Sequence, residues 1–197
     1  MSEYDPLLGS GRPGDDRDLE RVLEIFERAG RPFLRSHWSW VGWALVLPAA
    51  ALTTQAVAER WGPLAVLLLW SGAVLLGGSV EAALILRQPE PRTALAGWVL
   101  RAQGNLSLVA VAVSLLLVAT DVAWALPGVW LLLVGHSLFT LGGLTFQPLR
   151  RTGLWYQIAG VAALFPQARP LWLFALATGL GNLWIAWSLQ RPGSRAG

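Results

Sequence analysis

The sequence predicts an all-α, polytopic membrane protein of six transmembrane helices preceded by a short cytoplasmic amphipathic helix. Apolar residues make up 54% of the chain and gather in long runs. Charged residues make up 14%, against roughly 25% in soluble domains. Every basic residue is an arginine, and the arginines fall almost entirely in alternate gaps between the apolar runs.

Residues 1–14 carry Pro6, Gly9, Gly11, Pro13 and Gly14 with little apolar content, which predicts a disordered cytoplasmic tail. The pattern changes over 15–36. Leu19, Val22, Leu23 and Phe26 recur at helical spacing, acidic residues stand at the start, and Gly30 and Pro32 end the segment. This reads as an amphipathic helix and linker that lies on the inner leaflet or docks a cytoplasmic partner. Because the first apolar run begins only at Trp38, no cleavable signal peptide is expected.

The bundle is expected over 37–191. Its spans are Trp38 to Ala58, Pro63 to Leu86, Gly97 to Ala119, Pro127 to Phe146, Gly153 to Phe165 and Pro170 to Leu189. A hydrocarbon core of about 30 Å takes about 20 residues of helix, the structure that satisfies its own backbone hydrogen bonds. The fifth run rises only about 20 Å. It must recruit flanking residues, thin the bilayer locally, or enter without crossing. Residues 192–197 form a short tail.

Thirteen arginines lie in the N-terminal segment, the second gap with the adjoining start of the third span, the fourth gap and the C-terminal tail; only Arg60 and Arg169 lie in the others. The positive-inside rule then places both termini in the cytoplasm, in a multi-pass protein of a bacterial inner membrane. An odd number of crossings would break the alternation, which favours six. The even-numbered spans also rhyme. Each opens with a proline, at Pro63, Pro127 and Pro170, and reaches a glycine at Gly72, Gly135 or Gly179. Three tandem helical hairpins fit this recurrence, although any helix entering from outside tends to acquire proline early and arginine late.

Most of the twelve tryptophans sit near span ends, where an amphipathic ring suits the headgroup boundary. Trp70 and Trp130 lie deeper. Pro48 should free a carbonyl one turn earlier, beside a polar notch at Thr53, Thr54 and Gln55. Small residues such as Gly72, Gly77, Gly78, Gly135, Gly142 and Gly179 favour close helix approach.

Chemistry is constrained by what the chain lacks. With no cysteine, disulfides and thiolate sites are excluded. The net charge of +3 is explained by topology and anionic lipid headgroups, so nucleic acid is not expected as a partner. Among polar residues inside the spans, Glu81 lies roughly 8 Å from the cytoplasmic end of its helix. Arg101 stands at comparable depth, so an intramembrane Glu81 to Arg101 ion pair is geometrically reasonable. His136 and Asn182 fall near mid-membrane, and Gln157 can join them. Such groups either form a ligand or proton site or act as interhelical hydrogen-bond glue. With one histidine inside a span, no metal site and no cofactor are expected.

The stretch Glu24, Ile25, Phe26, Glu27, Arg28, Ala29, Gly30, Arg31, Pro32, Phe33 resembles the lead-in of a family of uncharacterised bacterial six-helix membrane proteins. So does the stretch Gly153, Leu154, Gln157, Ile158, Gly160, Phe165, Pro166, followed by Gly179 and Asn182. Members of that family usually carry an acidic residue where this chain has Gln157, and often a histidine near Asn182. They are often encoded next to a winged-helix regulator, so the resemblance implies membrane sensing or regulation and carries no reaction.

The sequence therefore leads to a sensor, regulatory or accessory subunit of a membrane assembly, contacting protein partners through its amphipathic helix and small-residue faces. A small-solute transport component using His136, Asn182, Glu81 and Gln157 is the alternative. An enzyme is less favoured, since no nucleophile with a base and no paired carboxylates are evident.

Overall fold

The computed structural model describes residues 37–86, 94–144 and 146–190, with side chains described except at 85–86, 94–100 and 143–144. The expected disordered tail, the amphipathic helix of 15–36 and the short C-terminal tail lie outside the described residues. Five α-helices follow one another: α1 (His37–Leu86), α2 (Ala94–Ala119), α3 (Leu126–Leu144), α4 (Gln147–Ala163) and α5 (Pro170–Gln190). Single 3-10 turns stand at Ala123–Ala125 and Pro166–Ala168.

α1 consists of two arms, 37–61 and 63–86, that meet at Gly62 with φ 77° and ψ −176°. Only glycine occupies that region readily. Pro63 disfavours helix at the residue before it, while its own fixed φ suits the first turn of a new helix. The arms fold back on one another. Trp43 and Glu81 are hydrogen-bonded at 3.2 Å, although 38 residues of straight helix would hold them about 57 Å apart. Trp70 meets Thr54 in the same hairpin, and both pairs are symmetric about residue 62.

Left-handed residues also mark the turns between α2 and α3 and between α4 and α5: Asp121 has φ 57° and Arg169 has φ 52°. With Gly62 they are the only positive-φ positions among the described residues. The first two hairpins correspond in more detail. The Trp70 indole donates to Thr54 Oγ1 and the Trp130 indole to Ser114 Oγ, each at 3.0 Å and each across sixteen residues. Both partners shift by 60 residues from one hairpin to the next. At the same offset, the Trp43 ring against Gly77 becomes a hydrogen bond from Gln103 Nε2 to Ser137 Oγ, and buried Ala50 becomes buried Ala110. The α4–α5 hairpin repeats the left-handed turn but has valine and alanine, Val161 and Ala177, at the places eight residues either side of it.

The most extensive helix contact joins α3 to α4. Gly128, Gly135 and Gly142 recur every seventh residue along α3, and Gly153 and Gly160 do so along α4. A Cβ at Gly135 would stand 2.8 Å from the Gly153 carbonyl oxygen, and one at Gly128 would stand 2.9 Å from that of Gly160. The two backbones therefore touch. Without a hydrophobic driving force between helices in lipid, this approach supplies the van der Waals contact that holds them.

α5 packs against both arms of α1 and against α4. Phe174 meets Trp70 edge-on at 5.6 Å, and a Cβ at Gly179 would lie 3.3 Å from Pro48 Cγ and 3.8 Å from the Ala44 carbonyl oxygen. That carbonyl is the one Pro48 leaves without its helical donor. Ala44, Ala50 and Ala51 are buried beside it. α2 has the least cover: it packs mainly on α3, and Leu108, Leu115 and Leu116 face outward.

α4 differs from the expected fifth span. It begins six residues before Gly153 and ends before Phe165, so its recruited residues are all upstream. Four helices, α1, α2, α3 and α5, contain stretches long and apolar enough to cross a membrane.

Gly62→Ala forces a side chain into the glycine-only region and should destabilise the α1 hairpin by about 1–3 kcal/mol, measured by denaturation in detergent; an unchanged midpoint would show that the turn relaxes freely. Gly153→Ala should cost about 1–3 kcal/mol by overpacking the α3–α4 contact. Gly78→Ala, where a Cβ meets nothing within 4 Å, should leave stability nearly unchanged.

Candidate functional site

Several polar residues of the apolar helices are joined in pairs that tie two helical arms together. In α1, a Cβ at Gly77 would collide with the Trp43 ring. The absence of that side chain lets the indole lie across the neighbouring arm. One turn further on is Glu81, whose Oε2 accepts the Trp43 Nε1–H at 3.2 Å. Both residues are half-buried.

α4 and α5 use the same device. A Cβ at Gly181 would collide with the Tyr156 ring, so the glycine gives the ring its place. The Tyr156 hydroxyl then donates to Asn182 Oδ1 at 3.0 Å, with the Thr178 carbonyl oxygen 3.4 Å away. Tyr156 is 1% exposed and Asn182 is 4% exposed, so this bond is out of reach of both solvent and lipid. Thr178 turns its hydroxyl back to the Phe174 carbonyl at 2.7 Å. All of these groups find partners within the protein, as burial in low dielectric demands.

Trp70 and Trp130, the deep tryptophans, donate to Thr54 and Ser114. At the expected notch beside Pro48 the side chains bond along their own arm, with Thr53 and Gln55 exposed and Thr54 half-buried. Thr53 and Thr54 hydroxyls donate to Ala49 and Ala50 carbonyls at 2.7 Å, and Gln55 donates to Glu59 at 2.9 Å.

The candidate residues occupy separate places. Glu81 is bonded to Trp43, while Arg101 is exposed on α2, and no ion pair joins them among the described residues. His136 is exposed on α3, where its carbonyl accepts the Thr140 hydroxyl at 2.9 Å. Asn182 is buried against Tyr156, and Gln157 is half-buried on α4 with its backbone nitrogen against Gly135. His136 and Asn182 thus differ in exposure as well as in helix. Among the described residues no group of three or more His, Asp or Glu side chains is placed to hold a metal ion.

Two partners escaped the sequence reading. Tyr156 is the only tyrosine in the apolar part of the chain, which is a signal for a buried hydroxyl seeking an acceptor. Trp43 is the other, and its link to Glu81 follows once Gly62 is taken as the hairpin centre.

Helices of this length and apolarity, with outward leucines and with polar groups bonded across the arms, define a helical integral membrane protein. Comparison of the chain with protein-family models, with curated proteins and with solved structures gives no match.

Tyr156→Phe should leave Asn182 Oδ1 without its donor and destabilise the protein by about 0.6–2 kcal/mol. A double-mutant cycle with Asn182→Leu checks the pair: additive losses would mean the two side chains act independently.

Proposed function

We propose that this chain is a non-enzymatic subunit of a membrane assembly, acting as a sensor or accessory component. One observation carries the reading. The polar side chains Glu81, Asn182, Thr54 and Ser114 are each engaged by an aromatic partner on another helical arm, so they act as struts rather than lining a common cavity. The outer faces of α1 and α2 supply the contact surface. Gly42, Gly72, Gly78 and Gly104 meet no atom within 4 Å and admit a close-approaching helix. The transport alternative needs Glu81, His136, Gln157 and Asn182 to converge, and their separate placements give it no support.

The finer topology belongs to the same proposal: six crossings, both termini in the cytoplasm, and the inner membrane as the site. The three left-handed turns at Gly62, Asp121 and Arg169 would all face outward, and the short link between α3 and α4 inward. At 17 residues, α4 rises about 26 Å. It is shorter than a core of about 30 Å and is shielded by α3 and α5.

Co-purification of the full chain from gentle detergent should recover a stoichiometric partner, with recovery reduced by deletion of residues 16–30. A lone monomer, indifferent to the deletion, would sink the accessory reading. Because the chain has no cysteine, topology can be read from single cysteines. Asp121→Cys and Ala168→Cys should react with an impermeant thiol reagent in intact cells, and Thr145→Cys only after permeabilisation. Labelling of 121 and 168 from opposite sides would show that α4 does not cross.

A further inference from the structure

Between α4 and α5 runs an open groove of about 460 Å³, lined by Arg151, Thr152, Trp155, Leu180, Gly181 and Trp184. The helices are antiparallel, so Arg151 and Trp184 stand at one end and Trp155 and Leu180 about one turn along. Gly181 forms part of the groove floor. The walls are outward-facing indoles, and Trp184 is braced by Trp187 with ring centroids 5.1 Å apart. The lining is therefore apolar along its length and cationic at one end.

The two adjacent arginines of α4 diverge. Arg150 sets its guanidinium over the Phe139 ring at 5.2 Å, towards α3. Arg151 lies on the groove side and is exposed, with no ion-pair partner among the described residues. Nor does its half of the chain offer one: no aspartate or glutamate occurs anywhere from Val122 to Gly197.

We propose that this groove is a binding site for one anionic glycerophospholipid. Arg151 engages the phosphate, and an acyl chain lies along Trp155, Leu180 and Trp184. The occupant follows from where the groove opens. It lies on the membrane-facing surface, where acyl chains are the surrounding medium, and its only charge is an uncompensated cation. Arg151 is in the second turn of α4, within reach of the headgroup layer for a long side chain that keeps its charge at the interface. A headgroup there supplies the missing anion. The site rests on the orientation proposed above, with the α3–α4 link at the cytoplasmic face, and the thiol labelling reads that orientation independently.

The test is native mass spectrometry of the full chain released from nanodiscs of equal parts phosphatidylglycerol and phosphatidylcholine. One retained phosphatidylglycerol is expected, favoured over phosphatidylcholine by about fivefold, the effect of one basic side chain near the headgroups. Arg151→Gln should bring that preference to parity, and Leu180→Trp, which fills the groove and keeps the arginine, should reduce retention of both lipids. Arg150→Gln should change neither. Equal retention of the two lipids by the unaltered chain, or a preference untouched by Arg151→Gln, would overturn the site. Two further outcomes would also overturn it. Inorganic phosphate that displaces the lipid would mean a simple anion site, and lipid retention that rises when residues 1–30 are deleted would make the acidic N-terminal segment the occupant.

Discussion

The contact between the α3 and α4 backbones is the constraint on which the rest of the described structure depends. α4 is short, carries two arginines near its start and has a polar face, so it is the helix least suited to stand alone in lipid. Glycines seven residues apart on both helices let it lie directly on α3, with carbonyl oxygens where side chains would otherwise be. Once α4 is held, its Tyr156 secures α5 through Asn182. α5 in turn packs against both arms of α1. Loss of one glycine would therefore be felt beyond its own neighbours.

A second regularity concerns how polarity is accommodated. Glu81 and Asn182 are costly groups in hydrocarbon, and each is reached by an aromatic ring admitted by a glycine nearby. Tryptophan and tyrosine suit this work because a large apolar body carries a single polar tip, so the ring fills space while the tip bonds. The result is a bundle whose interior polar groups serve cohesion. What is left for interaction with other molecules lies on the outside: the uncovered faces of α1 and α2, and the groove beside Arg151.

The matching bonds of the first two hairpins show the same geometry built from different residues. Thr54 and Ser114 serve alike as acceptors, and a tryptophan donates in both hairpins. The Trp43–Gly77 contact and the Gln103–Ser137 bond solve the same packing problem with different chemistry. Such equivalences were invisible to a comparison of span ends, which registered prolines and arginines but not which residues face each other.

Much of the class and of the boundaries was legible in the sequence, because hydrophobic length and backbone self-satisfaction act along the chain. The break between the arms of α1 falls in the gap read between the first two apolar runs, and the small residues that pack α3 were legible too. The partners of the polar residues were not. Glu81 was matched with Arg101 on depth alone, and His136 with Asn182 on the same ground, yet depth leaves open which way around its axis a helix turns its side chains. That rotation is set by packing: by the glycines that let α4 lie on α3, and by Tyr156 and Trp43 occupying the spaces that Gly181 and Gly77 leave. The sequence by itself determined a helical membrane protein and the positions of its apolar segments, since these follow from local hydropathy and proline and glycine chemistry. Only the tertiary structure decided which polar groups meet, because that depends on contacts between residues far apart in the chain.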